Sequence, residues 1–547
     1  MDSPKDPAEQ LAARKTPSQQ SLHDPPEQYD MDEVEDGTNY TDDTNAIPLR
    51  GHTKNDRKDM GRMGKRQELI RAYRPLSALS FALILQATWE FMLISHTEGL
   101  FNGGLAGLFW SYLWTFIGFS FVIFSLAEMA SMAPISGGQY HWVSEFAPPK
   151  HQKFLSYVTG WLSVLAWQAG AASGSFLTGT IIQGLITVNS PSYKPTAWQG
   201  TLLVFAMVAL IYVFNIWVAQ GLPMIQNLLL VVHVFGFIAI VVVLWAMAPH
   251  QTAKAVFTEF RNGGHWPSIG ISLMIGQISA IYGSLSADAT AHMAEEVKDA
   301  GRNVPNAISW GYIINGILAL VFMVSYIFAI PSVEDALEDP SGFPFIYVFR
   351  NAVSVSGVNA LTVIVLVLVI ASNISFNASA SRQTFSFARD KGLPFAQWLS
   401  AVHPTKHIPA NAILISCLIS ALLSLINLGS SAAFHAIISL NVAALMSTYA
   451  ISISCVLHAR LTHPERLPHA RWSLGPTLGP IFNAISLAYV WFALFWSFWP
   501  GETPVVLDDF NWSVVIFLGV LALSLLMYYV QGRKTYTGPV TSVTGRH

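Results

Sequence analysis

Apolar residues in this chain come in unbroken runs of about twenty, and polar residues gather in the short stretches between them. A run of about that length crosses a bilayer core of about 30 Å as a helix. The pattern predicts helices over 76–98, 105–132, 154–186, 198–219, 223–247, 268–294, 305–331, 356–387, 409–428, 432–460, 479–499 and 511–531. The fourth and fifth runs nearly touch, and Gly221-Leu222-Pro223 separates them. The expected fold class is an all-α polytopic membrane protein, with about twelve transmembrane helices over residues 76–531. Upstream the pattern changes. Residues 1–60 are polar, acidic and rich in Asp, Glu, Pro, Ser and Gln. Too little apolar surface is present there to fold, so a disordered cytosolic tail is expected. A basic juxtamembrane segment follows at 61–75, and residues 532–547 make a short cytosolic tail.

Composition agrees with this reading. The 547 residues are 52% hydrophobic and only 12% charged, where a soluble chain carries roughly 25% charged residues. The placement of charge says more than its total. Lys54, Arg57, Lys58, Arg62, Lys65, Arg66, Arg71 and Arg74 crowd ahead of the first run. Such a block keeps its side of the membrane cytosolic and suits anionic membrane lipid. Connectors expected on the same side hold Lys150, Lys153, Lys298, Arg302, Arg382, Arg389, Lys391, Lys406, Arg460, Arg466 and Arg471, with Arg533 and Lys534 after the last run. The opposite connectors hold Lys194, Lys254, Arg261 and Arg350, together with the acidic Glu502, Asp508 and Asp509. The bias predicts an even number of spans with both termini cytosolic. No basic stripe with interleaved aromatics is present, which argues against a nucleic-acid partner. Cys417 and Cys455 lie inside apolar runs and read as packing residues. The N-terminus lacks the short apolar run of a cleavable signal, so the first span is expected to direct insertion.

Charged side chains at the centre of a span cost roughly 2.5–3.5 kcal/mol on insertion scales, so those that occur mark a polar interior. Glu90 stands near the middle of the first run with no Lys or Arg beside it. It reads as a carboxylate facing a hydrated cavity, with Trp89 adding a cation–π face. The alternative is a structural carboxylate satisfied by another helix. In the sixth run, Tyr282-Gly283-Ser284-Leu285-Ser286 weakens the helix at mid-membrane, and Asp288, His292 and Glu295 follow on one face. A broken helix there would free backbone groups for solute and ions; a tight packing surface is the alternative. His233, alone in the fifth run, is a candidate proton relay, and His435 a weaker one. His292-x-x-Glu295-Glu296 lacks the second histidine of a zinc motif, so no metal is expected. No nucleophile–base set and no cofactor motif appears, which argues against an enzyme.

Three stretches follow in order: Asn102-Gly103-Gly104 through Ser125–Pro134 to Ser136-Gly137-Gly138-Gln139-Tyr140-His141-Trp142; Asp288–Glu296 with Asn303-Val304-Pro305; and Ser381-Arg382-Gln383 with Phe387–Pro394. Together they resemble the amino acid–polyamine–organocation transporter superfamily, within it the fungal amino-acid/choline branch with its GABA and choline permeases. The likeness covers about residues 75–530. It implies an inverted-repeat core, spans 1–5 and 6–10 forming two pseudo-symmetric halves with two extra helices. Spans 1 and 6 are then unwound at mid-membrane and hold the solute. By position the first unwound segment falls at Thr88–Met92. The superfamily usually has glycines there; this chain has Trp89-Glu90-Phe91, which suits an amino or quaternary ammonium group.

The solute-binding residues expected are therefore Thr88, Trp89, Glu90, Phe91, Tyr282, Gly283, Ser284 and Ser286, with Trp110 and Trp167 as further aromatic candidates. The resemblance implies a proton-coupled importer of choline, GABA, another amino acid or a polyamine, with coupling through either His233 or Glu90. Asp288, His292, Glu295 and Glu296 are expected to form an inner gate with Arg382 or Arg389, or else a static ion-pair network. A non-transporting nutrient receptor on the same fold is the competing reading. The plasma membrane is the expected location, the vacuolar membrane the alternative.

Overall fold

The computed structural model describes residues 53–190, 192–428, 433–507, 510–536 and 538–539. Residues 1–52 of the tail expected over 1–60 lie outside them, as do Asp508, Asp509 and residues 540–547. Among the described residues eleven helices are long and apolar enough to cross a membrane. A twelfth apolar segment, Ile269–Ser284, is too short to cross by itself because it belongs to a broken span. The spans run as α2 (Pro75–Gln86) with α3 (Thr88–Ile94), α4 (Thr97–Met132), α6 (Gln152–Asn189), α7 (Ala197–Trp217) and α8 (Leu222–Met247). The second set is α9 (Ile269–Gly276), α10 (Ile278–Ser284) and α11 (Ala289–His292) together, then α12 (Ala300–Phe328), α14 (Val355–Arg389), α15 (Ala410–Ser424) and α16 (Ala433–Thr462). Two more, α17 (Gly475–Trp496) and α18 (Ser513–Met527), complete the twelve. Shorter helices include α1 (Lys54–Arg62), α5 (Gln139–Phe146) and α13 (Pro344–Ala352). The first and tenth spans lie at the centre, with 94% of the apolar stretch of each buried, against 17% for the last.

The first span breaks at Ala87, which takes a left-handed conformation at φ 40°, ψ 47°. The break was expected at Thr88–Met92; instead those residues open the helical α3. A partner distant in sequence satisfies what the break frees: Ser372 donates to the Leu85 carbonyl at 2.5 Å. The Leu83 carbonyl keeps its helical bond from the Ala87 N–H at 2.9 Å and accepts a second from Asn315 at 3.0 Å. In the sixth span α10 ends at Ser284, Leu285 is extended, and Ser286 is left-handed at φ 69°. Irregular backbone over 133–138 links α4 to α5 and stays inside the protein, as chain without helical hydrogen bonds must at membrane depth. Gly138 there has φ 54°, and a Cβ on it would stand 2.7 Å from His292 Cε1.

Both described chain ends meet α5 at one face. Arg62 pairs with Glu145, and Gly538 packs by Ser144. Residues 53–60, expected to be disordered, form most of α1. Its charges are ordered because they are partnered: Asp56 is buried, and accepts from the backbone N–H groups of Asp299 (2.9 Å) and Ala300 (3.0 Å) at the start of α12. At the other end Tyr536 is fully buried, its hydroxyl 2.6 Å from Ser156 Oγ among Tyr140, Tyr157 and Phe387.

Candidate functional site

The two broken spans lie side by side. Gln86 Nε2, at the end of α2, donates to the Ser284 carbonyl at the end of α10, at 3.3 Å. Around this bridge the Thr88, Ser286 and Thr290 hydroxyls are buried and make no hydrogen bond among the described residues. Phe91 meets Tyr282 edge to face, 5.6 Å between centroids, and the Tyr282 hydroxyl lies 2.8 Å from Ser173 Oγ. Gly283 has a packing role: its missing Cβ leaves room for Met92, whose Sδ would otherwise stand 2.7 Å away. Of the other aromatic candidates, Trp110 is half exposed and bonds to the Phe257 carbonyl, while Trp167 packs on His292 and Phe376.

Trp89 and Glu90 share α3 with Phe91 but face different partners. Glu90 Oε1 lies 2.6 Å from His233 Nδ1 on α8, and both side chains are fully buried. Trp89 closes over this pair, its indole 5.8 Å from the His233 ring and packed on Phe237 and Phe322. Glu90 Oε2 and His233 Nε2 have no hydrogen-bond partner among the described residues. The two residues read from the sequence as separate candidates thus form one carboxylate–imidazole unit. That unit joins the broken span to α8.

Below the sixth-span break lies a second buried group. Asp288 accepts from Gln139 Nε2 at 2.5 Å and from the Tyr449 hydroxyl at 2.7 Å, and His292 Nε2 stands 3.7 Å away. His292 Nδ1 donates to the Ser136 carbonyl at 3.0 Å. Neither residue pairs with an arginine. The arginines meet the next two carboxylates instead. Arg389 holds Glu295 through two hydrogen bonds of 2.7 and 2.9 Å, and Arg382 Nε donates to Glu296 at 2.7 Å. A fork of parallel bonds of this kind fixes direction as well as charge.

The segment before the first span closes over these pairs. Tyr73 and Val297 form a two-bond bridge, Tyr73 N–H to the Glu296 carbonyl (3.0 Å) and Lys298 N–H to the Tyr73 carbonyl (2.9 Å). Arg71 donates to the carbonyls of Ala294 and Val297 and lies 3.2 Å from Asp56. Gln67 donates to the Glu295 carbonyl at 2.6 Å, Lys65 pairs with Asp390, and Arg471 joins Asp59 to Asp299. Burial raises the Asp59 carboxyl above the usual carboxylate range, against the pull of Arg471. Sequence reasoning missed Asp56, Arg71, Gln139 and Tyr449. Only the crowding of charge at 54–74 hinted at the first two. On the opposite face a cavity of about 430 Å³ stands between α4, α6, α10 and α16, floored by Phe176 and Phe434. Among the described residues no three of His, Cys, Asp and Glu gather as metal ligands.

The sequence profile described as amino acid permease matches residues 77–521, most of the chain. The chain belongs to this family. The permease is 27% identical over 471 residues to a choline transporter of Saccharomyces cerevisiae, covering 86% of this chain and 83% of that one. It is 25% identical over 502 residues to amino-acid permease 2 of Neurospora crassa, covering 91% of each. Among solved structures it resembles a manganese transporter of Eremococcus coleocola with a TM-score of 0.50 and 14% identity, over 89% of this chain and 98% of that one. That likeness shows the fold alone. It agrees with interruptions falling in the first and sixth spans, the leading members of two five-span halves. The permease is thus an integral membrane transporter, and not an enzyme.

Proposed function

We propose that the permease is a proton-coupled importer of a small amine such as choline, GABA or another amino acid, seated in the plasma membrane with both termini cytosolic. The Glu90–His233 contact carries this reading. A carboxylate and an imidazole buried 2.6 Å apart can share one proton at little cost. Removing it leaves a net charge in a low-dielectric site, which costs several kcal/mol unless a new partner arrives. Proton occupancy therefore sets whether α3 stays docked on α8, and α3 is also one wall of the inter-helix crevice. The solute is bound between the two breaks, where Thr88, Ser284 and Ser286 offer polar groups and Phe91 with Tyr282 offer ring faces. Trp89 acts as the cover of the proton site. Glu295 and Glu296, with Arg389 and Arg382, act as the inner gate, closed in this conformation. Lysines and arginines concentrated on the face of the chain ends support a cytosolic assignment for it.

The test is uptake of radiolabelled choline, GABA and neutral amino acids into cells lacking their own carriers, with and without a protonophore. Accumulation of one solute that collapses with the protonophore is expected. Accumulation indifferent to it would overturn proton coupling. Binding without any net uptake would instead favour a receptor.

A further inference from the structure

The outer cavity holds a carboxylate that the scheme above leaves unused. Among the residues lining it Glu98 is the one acid, and no Lys or Arg is present. A buried scaffold sets Glu98 in place. Asn102 Nδ2 donates to Glu98 Oε1 at 2.7 Å and to the Gly501 carbonyl at 2.6 Å. Asn102 Oδ1 in turn accepts from the Gly264 N–H at 3.0 Å and the Ser272 hydroxyl at 2.9 Å, and Asn102 is fully buried. Oε2 is left opposite His435 Nδ1 at 3.6 Å, too far for a hydrogen bond. Both side chains remain about a fifth exposed, 21% and 19%, and so open to the cavity. The floor is aromatic. Phe176 stacks on Phe434 at 5.4 Å, and Phe434 meets Tyr282 at 6.5 Å, so one layer of rings parts the cavity from the inter-helix crevice.

A fixed carboxylate above ring faces, in a cavity lined by no Lys or Arg, is the environment that attracts an ammonium group. We propose that Glu98, with His435, Phe176 and Phe434, forms an outer subsite. It holds the cationic nitrogen of the solute before that solute passes the Phe434–Tyr282 layer. This rests on the reading that the solute carries a cationic amine. Glu98 selects by charge, and the ring layer below admits the occupant when α10 moves.

The test uses the full-length permease with surface abundance measured, and radiolabelled choline, GABA and putrescine as probes. Glu98→Gln is expected to raise the KM for the carried probe about two- to fivefold at unchanged Vmax per surface molecule, the worth of a partly exposed ionic and cation–π contact. Glu98→Asp keeps the charge and is expected to recover most of that loss. An unchanged KM in Glu98→Gln, with uptake continuing, overturns the subsite and leaves amine import standing. A fall in Vmax at constant KM also overturns it, because Glu98 would then act in gate movement. A wild-type protein that carries neither these three probes nor any amino acid overturns the subsite and the amine reading together.

Discussion

At the scale of single residues, the Glu90–His233 pair and the strained break make different demands. Glu90→Gln keeps shape and removes the titratable group. Accumulation above the outside concentration is expected to disappear, while exchange of labelled for unlabelled solute across the membrane persists. Counterflow in reconstituted vesicles checks this, and a variant that still accumulates would rule Glu90 out as the coupling group. His233→Ala leaves a buried carboxylate unpaired and is expected to lower abundance as well, since such a loss costs about 3–5 kcal/mol. Ala87 sits at φ 40°, where a β-branched side chain is a genuine outlier. Ala87→Val is therefore expected to cost about 1–3 kcal/mol, read as a lower unfolding temperature in detergent, with Ala87→Gly tolerated. Glu90 and His233 were each legible as exceptional in the sequence, since a charge or an imidazole in an apolar run stands out. Their pairing was not, because 143 positions separate them and nothing local encodes that distance. The αL alanine was equally hidden, since alanine is the best helix former.

At the scale of elements, the sixth-span break was readable because Gly283, Ser284 and Ser286 weaken a helix where they stand. The first-span break carries no such mark. It is met from outside by Ser372, which takes up the Leu85 carbonyl that a continuous helix would have used. The same logic explains α1. KNDRKDMGR has almost no apolar face and reads as solvated chain, yet Asp56 caps both its own helix and the start of α12. Asp56→Ala is expected to destabilise the protein by about 2–5 kcal/mol, from a lost cap and an unpaired buried Arg71. Thermal unfolding followed by size-exclusion would measure it. A change under about 0.5 kcal/mol would show α1 to be merely adjacent.

At the scale of the whole molecule, twelve spans in order were legible because hydrophobic length is a one-dimensional signal. The Glu295–Arg389 pair was not, because its members stand 94 positions apart. In the proposed gate, Glu295→Gln leaves Arg389 without its carboxylate only while the inner face is closed; once open, water solvates the arginine. A penalty of about 3–5 kcal/mol on one state alone shifts its population more than a hundredfold. Faster alkylation of a cysteine introduced at Ser286, from the face of the chain ends, is expected in Glu295→Gln. Equal rates in both proteins would mark the ion pair as a static brace.

The seal on that face also has a consequence in time. Asp59 and Arg471 are 412 positions apart. At about 5–20 residues per second on the ribosome, Arg471 emerges about 20–80 s after Asp59. Through that interval a nascent chain carries Asp59 without this partner, although Arg71 and Glu145 are already at hand for Asp56 and Arg62. Whatever shields that carboxylate during synthesis has to let go when Arg471 arrives, so the connector between the tenth and eleventh spans completes the ion pairs of the first helix.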